Sequence, residues 1–158
     1  MADVEKLKNV EFNNQASVEL DISGGSSEKW GDMTQAFKNI NQAINESTFS
    51  AAFLCDGGFN STIVTGAAPT VALSGYYVKG DPVCEYLESI QYEIGDKRIS
   101  KFRMHRGTGT VTASVTLTSI AIAGGESNEP TAINVTMSFN GKPTFTSGSS
   151  VASGANYE

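Results

Sequence analysis

The sequence predicts a mainly β domain, an antiparallel sandwich or barrel with one flanking α-helix. Several segments alternate apolar and polar residues, which is the period of strands that bury one face. One segment, about residues 82–94, instead repeats its apolar residues at helical spacing and has signals at both ends. The length of 158 residues fits a single domain. A domain of this size can bury about 70% of the surface of its unfolded chain.

The charge balance limits the classes of function. The chain has 17 acidic and 11 basic side chains and a net charge of -6. Because affinity for phosphates comes mainly from Lys and Arg, this balance argues against a protein that grips nucleic acid, although not against one that lets DNA pass. The charged start of the chain does not resemble an export signal, and no apolar run approaches the ~20 residues of a membrane-spanning helix.

Residues 1–14 are predicted to form an N-terminal arm. Their apolar residues are isolated among charged and amide side chains and are too few to form a core. They are Val4, Leu7, Val10 and Phe12. Residues 15–23 then alternate strictly, which predicts a half-buried strand and the start of the folded domain.

Residues 30–44 can be interpreted in two ways. Met33, Phe37 and Ile40 keep helical spacing, whereas the Asn-rich composition has poor helix propensity. The residues by themselves lean towards a helix.

A long connection follows the next strand. Residues 48–55 are predicted as a strand that ends at the turn signal Asp56-Gly57-Gly58. Residues 57–69 show no periodicity, and long connections of this kind in compact domains are usually functional or disordered. Their apolar residues are Phe59, Ile63 and Val64. In a surface loop or an extended hairpin tip, these side chains either fold back onto the core or dock on another subunit.

The helix is the clearest element of the sequence. Asp81 is a good N-cap, Pro82 suits the first helical position, and Gly95 can end the helix in a left-handed conformation. One face carries an apolar stripe of Val83, Tyr86, Leu87, Ile90 and Ile94. A helix with one apolar face must cover something, and the sheet is the only large partner available.

Four more strands bring the predicted number to six or seven. They are residues 70–78, 96–106, 108–123 and 132–139. The alternation in the third of them shifts at Ser119, which predicts a bulge or bend. The second carries a basic row, Lys101, Arg103 and His105, which we interpret as a solvated face or as the partner of acidic side chains on a neighbouring strand. Residues 142–158 have too little apolar surface to fold alone and are predicted to be a flexible tail.

No catalytic, metal or cofactor site is predicted. His105 is the only histidine and has basic residues beside it, so neither a His-based triad nor a His metal site can be assembled. Cys55 and Cys84 lack a C-x-x-C partner, and we expect both thiols to be reduced. No Gly-rich segment has the spacing of a phosphate-binding loop. We therefore expect a protein that is not an enzyme.

Several short stretches carry a family resemblance through their order and spacing. They are Asp56-Gly57-Gly58, Val64-Thr65-Gly66, Ser74-Gly75, Gly80-Asp81-Pro82 with Tyr86, Arg98, Gly124-Gly125 with Pro130, and Phe139-Asn140-Gly141-Lys142-Pro143. In this arrangement the chain resembles the major tail tube proteins of long, non-contractile-tailed bacteriophages, the siphophages, especially those that infect Gram-positive bacteria. The resemblance covers roughly residues 30–143.

The resemblance implies a structural virion protein. Its residues 15–141 would form one β-sandwich tail-tube domain, and subunits would join edge to edge into hexameric rings that stack into a hollow tube. DNA would pass through this tube into the host without sequence-specific binding. The implied partners are a tape-measure protein in the bore, a tail terminator and tail-tip proteins, and assembly would take place in the bacterial host cytoplasm.

The resemblance also assigns roles to particular segments. Its stacking elements map onto residues 1–14, 57–69 and 142–158. It implies that residues 30–44 are largely extended, against the helical spacing, and we adopt that interpretation.

Two alternatives stay open. One is a β-sandwich module that binds carbohydrate or a cell surface in a phage fibre or baseplate, although the aromatic residues are scattered rather than clustered in the sequence. The other is the inner tube protein of a contractile injection device, which shares the architecture and cannot be separated by residues alone.

Overall fold

The computed structural model describes residues 6–25 and 27–147. This part of the chain contains ten strands, the helix α1 (Pro82–Ser89), a shorter helical segment at residues 6–8 and several 3-10 turns. The strands are β1 (Ser17–Asp21), β2 (Trp30–Asp32), β3 (Phe37–Ala43), β4 (Glu46–Ala51), β5 (Ser61–Ala67), β6 (Thr70–Tyr76), β7 (Ile99–Arg106), β8 (Gly109–Ile122), β9 (Ala132–Phe139) and β10 (Thr144–Ser147). The fold is mainly β and antiparallel, as the sequence predicts.

Eight of these strands form one sheet, in the order β2-β1-β7-β8-β9-β6-β3 with β10 also paired to β8. Strand β8 is the longest and links two parts of the sheet. Its first half pairs with β7 on one side, and its second half pairs with β9 on the other. Strand β10 lies on the same side as β9 and continues its line along the start of β8. The two remaining strands, β4 and β5, pair with each other.

The sheet curls around a single core. Its outermost strands, β2 and β3, are joined by residues 33–36 alone, so the two ends of the strand order must lie close together. Met33 in this link is fully buried. Gly75 on β6 allows the link to pass, because a Cβ at this position would collide with the backbone of Ala36 and Phe37. Since β2 and β3 are not paired with each other, the described strands do not close a barrel.

The core draws apolar side chains from both parts of the sheet and from the helix. Its largest fully buried side chains are Phe102, Leu20, Met33, Leu87, Leu117, Ile133, Met137, Val71, Val83, Val115 and Val135. They alternate with outward-facing residues in β6, β8 and β9, which is why these strands could be predicted from period-2 patterns. Burial of this one face supplies most of the driving force for folding.

Helix α1 begins where the sequence predicts. Asp81 accepts a hydrogen bond from the backbone N–H of Cys84 at 3.3 Å, and Pro82 occupies the first helical position. The stripe residues in the core are Val83, Leu87 and Ile90, with Tyr86 packed against them. The helix ends at Ser89, however, and not at Ile94. Ile94 is 86% exposed and does not belong to the packed stripe.

Arg98 explains why the helix stops early. Its side chain donates hydrogen bonds to four backbone carbonyl oxygens, of which that of Ile90 also accepts one from the Glu93 N–H at 3.1 Å. They belong to Ile90 (3.1 Å), Gln91 (2.6 Å), Glu93 (3.0 Å) and Leu117 (2.8 Å). The first three lie in the turn and the last lies on β8, so Arg98 fastens the end of the helical region to the sheet. In a longer helix, backbone N–H groups would donate to such carbonyl oxygens. A charged side chain can donate these hydrogen bonds instead.

Residues 30–44 are extended, as the family resemblance implies and against the helical spacing. They form β2, a 3-10 turn at Met33–Gln35 and β3. The helical spacing of Met33 and Phe37 arises because the 3-10 turn between the strands buries one and the start of β3 buries the other. The bulge expected near Ser119 is confirmed, since the β8–β9 register shifts there and Ser119 has a φ of 53°.

Two strands, β5 and β10, were not predicted, and β2 was predicted only as part of the extended residues 30–44. Strand β2 has three residues and β10 has four, which is too short for a recognisable alternation. Strand β10 lies inside the segment predicted as a tail, and Phe145 on it packs over Gly109, where a Cβ would collide with the ring. Strand β5 lies in the segment predicted as an aperiodic connection. Residues 148–158 of the predicted tail are outside the described residues.

We predict that Arg98→Ala lowers the free energy of unfolding by about 2–4 kcal/mol, because it removes the charged donor from several half-buried carbonyl groups. Lys97→Ala is the matched control, since Lys97 makes only an exposed ion pair with Glu93 at 3.4 Å. The control should change stability by less than about 1 kcal/mol. Urea unfolding curves measure both variants, and equal midpoints would contradict the role given to Arg98.

Candidate assembly surfaces

The sheet carries a projecting hairpin formed by residues 46–67. Strands β4 and β5 continue β3 and β6 beyond the core and remain paired with each other. The chain changes direction at Asn45, which adopts a φ of 55°, and its side-chain amide donates to the Ala68 carbonyl at 2.9 Å. Asn tolerates this left-handed conformation better than most residues. At about 3.3 Å per residue, the seven residues of β5 give the hairpin a reach of roughly 20 Å.

Both faces of the hairpin expose apolar side chains. Phe49 and Ile63 are cross-strand neighbours on one face, and Val64 lies beside Thr48 on the other. Phe59 is 79% exposed, Ile63 62% and Val64 52%. Further exposed apolar residues on the hairpin are Phe49, Phe53 and Leu54. An apolar surface of this kind is costly for an isolated subunit and indicates an interaction site.

The three residues singled out in the sequence therefore lie together on one element, and they do not fold back onto the core. Sequence reasoning missed Phe49, Phe53 and Leu54, because residues 48–55 were interpreted as an ordinary strand. The signal that could have indicated a hairpin is the symmetry of the sequence about its turn. Short apolar–polar stretches stand on both sides of Asp56-Gly57-Gly58, as expected for a hairpin.

The tip of the hairpin is held by its own backbone and side chains. Asp56 accepts a hydrogen bond from the backbone N–H of Phe53 at 3.1 Å. Gly57 and Gly58 follow with φ values of 64° and 91°, which glycine adopts without strain. Cys55 is exposed at the same tip, with a free thiol.

The N-terminal arm lies against the turn between β7 and β8. Glu11 accepts a hydrogen bond from the Gly107 N–H at 3.1 Å, and Arg106 donates to the Asn13 side chain at 2.9 Å. The described apolar residues of the arm are Leu7, Val10 and Phe12, and all three are exposed. Val4 lies outside the described residues.

A four-strand part of the sheet presents an uncharged outer surface. In the second half of β8 and in β9, β6 and β3, the residues between the core positions lie side by side. They are Thr116, Thr118, Ala121, Asn134, Thr136, Ser138, Thr70, Ala72, Ser74, Tyr76, Asn39, Asn41 and Ala43. We call this surface the hydroxyl–amide face. None of these residues carries a formal charge, but Lys38 on β3 places its ammonium against Tyr76 at one end of the face, 3.1 Å from the hydroxyl.

The opposite part of the sheet, β2-β1-β7, is charged but internally paired. Arg103 donates to Glu19 at 2.7 Å and lies 4.2 Å from the centre of the Trp30 ring. Lys101 pairs with Glu28 at 2.6 Å, and this hydrogen bond raises the pKa of Lys101. The interpretation of acidic partners on a neighbouring strand therefore holds for Arg103, whereas the partner of Lys101 lies in the loop between β1 and β2 and His105 shares its hydrogen bond with Thr110.

Two edges of the four-strand part have no strand partner among the described residues. Strand β3 stands last in the strand order, so its outer edge is unpaired. Strand β7 begins at Ile99, opposite Thr116, which leaves residues 118–122 of β8 unpaired on that side. An open recess of about 440 Å³ lies beside this second edge and is lined in part by Ile94 and Ile99, which are both exposed.

Within residues 6–25 and 27–147, no group of three or more His, Cys, Asp or Glu side chains is placed to hold a metal ion. His105 shares a hydrogen bond with the Thr110 hydroxyl at 2.9 Å. In the same part of the chain, no helix has the length and apolar character to cross a membrane.

Comparisons with known proteins identify the fold. No protein-family model and no curated protein sequence match the chain. Among solved structures, a chain from the tail of an empty gene transfer agent particle, refined helically with C6 symmetry, matches with a TM-score of 0.69 and 17% identity, over 87% of this chain and 100% of that one. A chain from the virion of the native gene transfer agent particle gives the same values.

A chain of the SPP1 tail tube matches with a TM-score of 0.63 and 12% identity, over 94% of this chain and 86% of that one. The protein therefore has the fold that these tail proteins share. The family resemblance drawn from the sequence is confirmed at the level of the fold.

We predict that the two thiols differ sharply in reactivity. Cys55 is exposed, whereas Cys84 lies in the core, where burial raises the pKa of its thiol to about 11. A thiol reacts as the thiolate, so at mildly alkaline pH a chromogenic disulfide reagent should modify one thiol rapidly and the second only after unfolding in urea. Cys55→Ser should abolish the rapid phase. Two rapidly reacting thiols in the folded protein would contradict the placement of Cys84.

Proposed function

We propose that the protein is the structural subunit of a phage-type tail tube. Copies would assemble into stacked hexameric rings that form a hollow tube, and DNA would pass through it into the host. One observation carries this proposal: the fold matches a chain of a C6-symmetric tail along that chain's whole length. The role is mechanical, and the protein would act in the virion without catalysing a reaction.

Ring closure follows from the two unpaired edges. The outer edge of β3 and residues 118–122 of β8 lie on opposite sides of the same four-strand part. Pairing the first edge of one copy with the second edge of the next is a head-to-tail contact, and such contacts generate a ring when the rotation closes. The contact would also cover Ile94 and Ile99 beside the β8 edge.

Stacking of the rings would use the projecting hairpin and the N-terminal arm. The apolar side chains of both are exposed in the single chain. Phe59, Ile63 and Val64 would dock on a subunit of the adjacent ring, where burial of their surface would stabilise the stack by about 25 cal/mol for each Å² removed from water. The predicted arm residues Val4, Leu7, Val10 and Phe12, together with the C-terminal tail, would add to this contact.

The other partners belong to the same proposal. A tape-measure protein would occupy the bore before DNA enters. A tail terminator and tail-tip proteins would cap the two ends of the tube, which would assemble in the bacterial host cytoplasm.

The purified protein should form rings or hollow tubes of uniform width as its concentration rises. Negative-stain electron microscopy would show the particles, and light scattering would give their mass. A chain that stays monomeric at every concentration, and also with purified tail-tip complex, would contradict the proposal and favour a β-sandwich binding module.

The triple variant Phe59→Ser, Ile63→Ser, Val64→Ser should stay folded but fail to grow tubes. The three side chains lie outside the core, so the urea midpoint of the main transition should stay close to that of the unmodified protein. The control is Ser50→Ala with Thr62→Ala, which removes only an exposed hydrogen bond of 2.7 Å on the same hairpin. The control should grow tubes. Tubes of normal length from the triple variant would refute the hairpin's role.

A further inference from the structure

The projecting hairpin is joined to the sheet by a short segment that we call the hairpin root, residues 44–45 and 68–69. Before the root, the last pair of β3 and β6 is Ala43 with Thr70. After it, β4 and β5 begin in the same register. None of the four root residues belongs to a strand, so the regular ladder is interrupted here. The direction in which the hairpin leaves the sheet is therefore set within these residues.

One backbone hydrogen bond and one side chain connect the two strands at the root. The Ala68 N–H donates to the Ile44 carbonyl at 3.0 Å. The Asn45 side-chain amide donates to the Ala68 carbonyl at 2.9 Å and lies 3.5 Å from the Thr70 hydroxyl. The Asn45 side chain therefore provides a donor that a regular ladder would take from the backbone.

Pro69 holds the second strand of the root against the sheet. Its carbonyl accepts a hydrogen bond from the Phe139 N–H of β9 at 3.0 Å, so this residue stays in line with β6. A proline has no N–H, however, and cannot donate across the ladder towards β3. The ladder therefore breaks on the side of β3, where Asn45 turns the chain with its φ of 55°.

A second irregularity follows the root directly. The β4–β5 register shifts between Ser47 and Thr48, so Thr65 is an extra residue in β5. Its hydroxyl donates to the Ser47 carbonyl at 3.2 Å. A bulge of this kind bends a strand and increases its twist. The left-handed Asn45 and the bulge together bend the hairpin at a defined place.

The angle of this bend matters because the hairpin is long. The apolar residues that would dock on the adjacent ring lie on an arm with a reach of roughly 20 Å. A rotation of about 30° at the root would move the tip by about 10 Å, which equals about three residues along a strand. A small error in the angle would therefore separate the docking residues from their partner surface.

We propose that Asn45 sets the direction of the hairpin and that stacking of the rings depends on this direction; only the second part rests on the proposed function. Asn adopts the left-handed conformation more readily than most residues with a side chain, and its amide holds the two strands at the resulting angle. If the hairpin pointed in many directions, only the correctly directed fraction would bind the next ring. The apparent affinity would fall by that fraction.

The distance between two spin labels in the free subunit tests the direction. One label is attached to Cys55 at the exposed tip and the other to Glu85→Cys on the exposed side of α1, while the buried Cys84 should stay unlabelled. In this background, Asn45→Gly keeps the left-handed conformation accessible but loses the amide, so the distance distribution should widen by about twofold or more. Asn45→Ala also disfavours that conformation, so the mean distance should shift by several Å.

Tube growth, observed by negative-stain electron microscopy, tests the consequence. Tubes of Asn45→Gly should need a concentration about tenfold higher if about a tenth of the hairpins point correctly, and Asn45→Ala should give rings without tubes. The urea midpoint of the main transition should stay close to that of the unmodified protein, because Asn45 lies outside the core. The control is Asn41→Ala, which removes the same side chain from the regular ladder of β3 and should change neither the distances nor tube growth.

The two measurements separate the possible failures. Unchanged distance distributions in both Asn45 variants would overturn the assignment of the bend to this residue. Altered distributions with unaltered tube growth would overturn its link to stacking. If the unmodified protein forms neither rings nor tubes, the result counts against the proposed function, and the distances in the free subunit still decide whether Asn45 sets the direction.

Discussion

The structure depends on how a one-sided apolar sheet buries its core. Each long strand has a single apolar face, so the sheet must curl until its own parts and the helix cover that face. The link at residues 33–36 draws the outermost strands together, and Met33 fills the space between them. The curl stops short of a closed barrel and leaves strand edges with unpaired backbone groups. Such edges invite pairing with another chain, which is a hazard in a monomer and a means of assembly in a tube.

Under the proposed function, folding and assembly would use separate parts of this chain. The core side chains lie within the curled sheet and α1, and Arg98 holds the end of the helical region against β8. The hairpin continues β3 and β6 as a separate two-stranded sheet and places its apolar residues in solvent. Such a subunit would fold before it meets a neighbour, because the contacts that stabilise its core do not include the exposed apolar residues of the hairpin. The exposed surface then provides a free-energy gain that is available only on assembly.

The segments that could be predicted from the sequence are those that bury one face. Strand β9 matches residues 132–139, because one face is buried and the alternation is complete. The hairpin was harder to predict, since a segment exposed on both faces has no reason to alternate. The early end of α1 could not be predicted from local signals. The donor to the carbonyl oxygens of Ile90 and Gln91 is Arg98, which follows the turn in the sequence. The edges, the hydroxyl–amide face and the neighbours of the basic row required the register between strands, which no single segment contains.

The register also changes how the charge of the chain should be interpreted. The net charge of -6 is compatible with a conduit for DNA, but it is a sum over the whole chain and does not describe any one surface. On the β2-β1-β7 part, opposite charges pair with each other, as between Arg103 and Glu19. The Debye length is about 8 Å at physiological ionic strength, so charges on the far side of the subunit contribute little to the field in a bore. In the proposed tube, what DNA meets would therefore be set by the few side chains that face the bore, and the net charge does not identify them.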